Sequence, residues 1–138
     1  MTEISGFWGA FWGASRAMTA ARDAMLERHG VVAGQQAVLA RLWASDEGGL
    51  APGDLARSLD LTTSAVTSLA GKMEAAGLLE RASDDAHPVI LQLTRRGRDL
   101  EKIFDREMRT LGERALGSLD DTERIQLTRM LRELRANL

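Results

Sequence analysis

Residues 62–97, TTSAVTSLAGKMEAAGLLERASDDAHPVILQLTRRG, decide the fold. Thr62 is a good N-cap, and the run after it places Val66, Leu69, Ala70 and Met73 on one helical face. The spacing predicts a helix over about 63–76, stopped by Gly77. The period then changes. Leu78–Ala82 and Val89–Leu93 read as two short strands, with Ser83–Pro88 as the turn between them. Thr94 caps a following helix over about 95–116. This hairpin is the one convincing β signal in the chain.

Reading outward, Pro52 suits a first helical position and Asp54 a first turn, where negative charge complements the dipole. Leu55, Ala56 and Leu59 face inward, so a short helix precedes the Thr62 helix across Asp60–Leu61. Ser45–Leu50 reads as a turn. Residues 33–44 form a second helix with Val38, Leu39, Leu42 and Trp43 inward. Residues 4–28 form the first, with Phe7, Phe11, Met18, Ala21 and Met25 at helical spacing and Trp8 and Trp12 alongside; Gly30 follows as its stop. At the other end Leu100, Ile103, Phe104, Met108, Leu111 and Leu116 mark the helix after the hairpin. Asp120 and Glu123 resemble a capping box for a last helix over about 121–136. The order α-α-α-α-β-β-α-α is mainly α with a small antiparallel hairpin, the outline of a winged helix-turn-helix flanked by long helices.

The 138 residues suit a single domain and can bury a sizeable core. Hydrophobic residues make up 44% and charged residues 28%, a globular balance. Cysteine is absent, which excludes a disulfide framework, thiolate metal ligands and a cysteine nucleophile, and fits a cytoplasmic location. The apolar stretch from Ile4 is broken at Arg16, too short to span a bilayer and without the basic flank of a signal peptide. His29 and His87 lie too far apart in sequence to imply a metal site, and no cofactor is expected. No glycine-rich phosphate loop, HExxH or GxSxG pattern is present, so the chain does not read as an enzyme.

The chemistry lies on the helix after Thr62. Opposite its apolar back stand Ser64, Thr67, Ser68, Gly71 and Lys72. Hydroxyls both donate and accept, and a lysine takes a phosphate or a guanine edge, so this short polar front suits the major groove of DNA. The run from Gln36 to Gly97 resembles the MarR family of transcription regulators. Gln36, Leu39, Asp54-Leu55-Ala56, Leu59 and Val66-Thr67 carry the resemblance, with Met73–Arg81 and Leu93-Thr94-Arg95-Arg96-Gly97. It implies one MarR-like domain over 1–138: dimerisation helices at 1–30 and 98–138, and a winged helix-turn-helix at 33–97. It also implies a homodimer on double-stranded DNA at a pseudo-palindromic site, acting as a repressor released by a small aromatic or phenolic effector.

The candidate DNA contacts are Thr62, Thr63, Ser64, Thr67, Ser68 and Lys72, joined by Arg81 and Arg95 around the hairpin and by His87 in the wing. The wing departs from the family. Where the family carries an Asp-x-Arg whose arginine enters the minor groove, this chain has Asp85-Ala86-His87, and Ser68 stands where the recognition helix often has arginine. Between Ala51 and Arg98, Arg57, Lys72, Arg81, Arg95, Arg96 and Arg98 face Asp54, Asp60, Glu74, Glu80, Asp84 and Asp85, six against six. Many DNA-binding domains are frankly basic. The alternative is therefore a winged-helix protein-interaction module with weak or lost DNA binding. Phe7, Trp8, Phe11 and Trp12 read either as dimer packing or as the wall of an effector pocket, for which Phe11, Trp12, Arg16 and Trp43 are the candidates. His29 reads as a cation favoured at a helix C-terminus.

Overall fold

The computed structural model describes residues 2–46, 48–83 and 85–138. Six helices and one hairpin are present among them: α1 Thr2–Arg28, α2 Ala33–Ala44, α3 Pro52–Leu59, α4 Thr63–Ala75, β1 Leu79–Ala82, β2 Ile90–Leu93, α5 Arg95–Ala115 and α6 Asp121–Ala136. The sequence reading placed each of them within a residue or two. The chain divides into two compact units, Met1–Asp105 and Arg106–Leu138.

The first unit holds the core. Leu26, Val31, Val38, Leu39, Leu55, Val66, Met73, Leu78, Leu79 and Leu91 are almost fully buried, and Leu100 and Phe104 close the cluster from α5. All but Val31 and Leu78, which lie in connections, come from the inward side of a helix or strand, so the faces read from sequence are the faces that pack. Turn chemistry joins the pieces. Gln35 Oε1 accepts from the Val32 N–H at 3.1 Å, which satisfies one orphan donor at the start of α2. Pro52 opens α3, and Asp60 closes it in the left-handed region with φ 53°.

The two strands pair antiparallel in the register Leu79–Leu93, Glu80–Gln92, Arg81–Leu91 and Ala82–Ile90. Leu50 adds a third arm that the sequence reading left inside a turn. Its N–H donates to Leu91 O at 3.1 Å, and Leu91 N–H donates back to Leu50 O at 2.8 Å. One residue of pairing has no periodicity, so sequence pattern cannot show it.

In α1 only the C-terminal end, at Met25 and Leu26, is buried. Phe7, Trp8 and Trp12 stay exposed, the last at 51%, with Trp8 and Trp12 stacked at a centroid separation of 5.8 Å. In the second unit α6 begins with the capping box read from sequence: Asp120 Oδ1 accepts from the Glu123 N–H at 2.8 Å, and Glu123 Oε1 from the Asp120 N–H at 3.0 Å. Arg124 closes the turn before it, donating to Leu116 O, Leu119 O and Glu113 Oε2. No residue of α6 is buried, and Ile125, Met130, Leu131 and Leu134 are exposed, Ile125 at 70%. Among the described residues no helix is long and apolar enough to cross a membrane.

Candidate nucleic-acid interface

The helix-turn-helix is α3, the turn at Asp60–Thr62, and α4. Thr62 has extended backbone, and its Oγ1 accepts from the Ala65 N–H at 3.0 Å, so the first turn of α4 is capped by the residue that ends the loop. Val66, Ala70 and Met73 are buried behind α4, with Leu69 half-buried. Thr62, Thr63, Ser64, Thr67, Ser68 and Lys72 are all exposed. Ser64, Thr67 and Ser68 make no side-chain hydrogen bond among the described residues, so their donors and acceptors are turned outward. The front of α4 is thus a short polar ridge ending in a cation.

The far end of α4 is held from α5. Thr94 Oγ1 donates to Gly77 O at 2.6 Å and accepts from the Gly97 N–H at 3.1 Å. Arg96 Nη1 donates to Ala76 O, the carbonyl at the C-cap of α4, at 2.7 Å. Gly97 lies so close to the backbone just before β1 that a Cβ built on it meets Leu78 O at 2.1 Å. Its carbonyl accepts from Trp43 Nε1 at 2.8 Å. These contacts explain the block Thr94–Gly97, whose sequence signal was a motif without a stated mechanism. Arg96 in particular was not among the site residues read from sequence.

The wing candidates part company. Arg81, on β1, lies 3.6 Å from Glu74 of α4, with both side chains about half exposed. His87 sits half-buried in the turn between the strands, beside exposed Asp85 and Ala86. Asp84 lies outside the described residues. Arg95 is exposed at the start of α5 and lines two clefts. One, of about 530 Å³, includes Trp43, Asp46, Arg98 and Lys102; the other, of about 690 Å³, includes Arg28, His29 and Arg96.

Of the four effector-pocket candidates, Trp43 lines the smaller cleft. Phe11, Trp12 and Arg16 line neither. Trp43 also packs edge-on to Phe104 at 5.5 Å, and its only N–H is already given to Gly97. The His29 ring lies 5.5 Å from the same Phe104. No group of three or more His, Asp or Glu among the described residues could hold a metal ion.

A helix with a packed back and a polar front, presented beside a two-stranded wing, defines a winged helix-turn-helix protein. The MarR family model matches residues 36–87. No curated protein matches the sequence. Among solved structures the chain is similar to MepR, a transcription regulator of the Staphylococcus aureus multidrug efflux pump MepA: identity is 24%, TM-score 0.81, and coverage 93% of this chain and 95% of that one. It is similar to a MarR family protein from Bacillus stearothermophilus at 22% identity and TM-score 0.79, covering 99% and 95%. It is also similar to the Mycobacterium tuberculosis MarR family protein Rv2887, solved in complex with DNA, at 27% identity and TM-score 0.73, covering 91% and 94%. The match to the MarR family model is thus confined to the winged helix-turn-helix and its approach, while the fold of the whole chain is the one these MarR-family structures share.

Proposed function

We propose that this protein is a sequence-specific DNA-binding transcription regulator, a homodimer that occupies a pseudo-palindromic operator and represses. The observation that carries the reading is the front of α4, where Ser64, Thr67, Ser68 and Lys72 stand exposed and outward while Val66, Ala70 and Met73 anchor the helix. Base edges are read by such short donors and acceptors, and phosphates by the cation. The DNA complexes of Rv2887 and MepR support the same reading for this chain. In a dimer the half-site centres lie roughly 10 bp, or a multiple of that, apart.

Selection of bound DNA from a random pool should return a pseudo-palindrome with that spacing. Lys72→Ala should then weaken binding, and reduce the slope of log affinity against log salt by about 1 if the ammonium meets a phosphate. Specific binding left intact by both Lys72→Ala and Ser68→Ala would show that another face reads the DNA.

A second reading, a protein-interaction module, is favoured by the balanced charge between Ala51 and Arg98 and by the partial neutralisation of Arg81 by Glu74. A flat salt dependence would select it, because genuine phosphate contacts release counterions. For a small aromatic effector, the cleft at Trp43 is the place the side chains favour. Quenching of Trp43 fluorescence by an aromatic acid, lost in Trp43→Phe, tests it.

A further inference from the structure

Gly71 is the one position on the polar front of α4 without a side chain. At about 100° per residue it falls between Thr67 and Ser68 in projection, one turn beyond them and next to Lys72. It lies well inside Thr63–Ala75. Glycine is the poorest helix former after proline, so an interior glycine weakens the helix that holds it. Two reasons for a glycine can lie within a chain: a positive φ, or a neighbour that fills the place of Cβ. Neither holds at Gly71. Its backbone is helical, outside the left-handed region where Gly30, Gly49 and Gly77 lie. A Cβ built on it meets nothing within 4 Å among the described residues. One built on Gly97 meets Leu78 O at 2.1 Å, and one on Gly34 meets Leu69 Cδ2 at 3.4 Å. The fold itself would accept alanine at position 71.

Gly6, Gly9, Gly13 and Gly112 are open in the same way, on α1 and α5, so openness alone names no partner. What singles out Gly71 is its company. The exposed hydroxyls of Thr67 and Ser68 flank it, and the exposed ammonium of Lys72 stands beside it. A ridge of groups suited to DNA has a notch near its middle.

We propose that Gly71 is a seat for the sugar–phosphate backbone of DNA, and that the missing side chain sets how deeply α4 enters the major groove. A helix-turn-helix reads base edges from the N-terminal residues of its recognition helix. A later residue on the same front therefore comes against the strand at the edge of the groove. Without a Cβ at that point the strand lies in van der Waals contact with the helix, within reach of Lys72. Thr67 and Ser68, one turn nearer the N-terminus, then reach deeper toward the bases. Gly71 is thus a positioning residue. The inference rests on α4 being the DNA-reading helix.

The test compares Gly71→Ala and Gly71→Leu with the wild type, all full length. Urea unfolding reads stability, and anisotropy titration reads affinity for the DNA fragment returned by selection. Alanine and leucine are better helix formers than glycine, so both variants should unfold at higher urea. Gly71→Ala should nevertheless bind DNA about tenfold more weakly, the scale of one methyl forced into a packed contact. Gly71→Leu should lose about a hundredfold or more. A purely structural residue would move stability and affinity in the same direction.

A urea midpoint lowered by Gly71→Ala would place the reason for the glycine inside the chain and overturn the proposal. Unchanged affinity in both variants would overturn it too. So would an equal loss in the two, which would mark helix flexibility rather than space. Lys72→Ala weakening binding while both Gly71 variants bind like the wild type would keep the reading helix and remove the seat. A wild type that binds no DNA would remove both.

Discussion

Gly97 sits where the backbone of Leu78 leaves no room for a side chain. Its would-be Cβ falls 2.1 Å from Leu78 O, and that neighbour is backbone leading directly into β1, not the end of a flexible side chain. Gly97→Ala should lower stability by about 2 kcal/mol or more through forced displacement of packed groups, read as a shift of the urea midpoint. A midpoint unchanged from wild type would mean that α5 slides freely on β1. His87 carries the other prediction at this scale. If it meets the minor groove or its flanking phosphates, a guanidinium in its place gains donors and a permanent charge, so His87→Arg should tighten DNA binding and steepen its salt dependence. Equal binding by wild type, His87→Ala and His87→Arg would take the wing out of recognition. Individual residues were unevenly legible in the sequence. Lys72 and the hydroxyls of α4 declared themselves through spacing. Arg96 did not, because its partner Ala76 O is backbone, twenty residues away in sequence and brought near only by the hairpin.

At the scale of elements, caps and faces did most of the specifying. Thr62, Thr94, Asp120 and Pro52 each stand at the helix start that their chemistry prefers. Thr62→Ala removes the acceptor of the Ala65 N–H and should destabilise by about 1 kcal/mol. Because that cap sits at the leading end of α4, DNA affinity should fall with it, as a fluorescence anisotropy titration would register. Thr62→Asp should recover the stability, since aspartate also caps, but less of the affinity, since it brings negative charge toward phosphate. The Leu50 arm escaped the sequence reading for the reason already given: two hydrogen bonds to Leu91 set it, and neither leaves a pattern in the chain.

For the whole molecule, each unit exposes apolar surface that water does not tolerate cheaply. Within the first, Ile4, Phe7, Trp8 and Trp12 lie open along α1; within the second, Ile125, Met130, Leu131 and Leu134 lie open along α6. Contiguous exposed patches of this kind mark association sites. Static light scattering at micromolar concentration should give about twice 15.1 kDa. The paired change Trp8→Glu and Trp12→Glu should return the monomer mass and, with it, lose cooperative occupation of a two-half-site fragment. A soluble wild-type monomer at that concentration would rule out the dimer.

What the sequence determined by itself was local and periodic: helix faces, their caps, the switch from a period of 3.6 to a period of 2 at Leu78, and the polar front of α4. Those signals arise within a few residues, where hydrogen bonding and burial leave a direct trace. Only the tertiary structure decided what the chemistry of Thr94–Gly97 is for. It set Thr94 and Arg96 against the carbonyls that end α4, seated Gly97 on the Leu78 backbone, and spent the Trp43 N–H on Gly97 O. It also gathered Arg28 and Arg95 into one cleft, from helices 67 positions apart (95 − 28). Contacts to backbone and meetings of distant charges depend on the path of the chain, and no local pattern encodes that path.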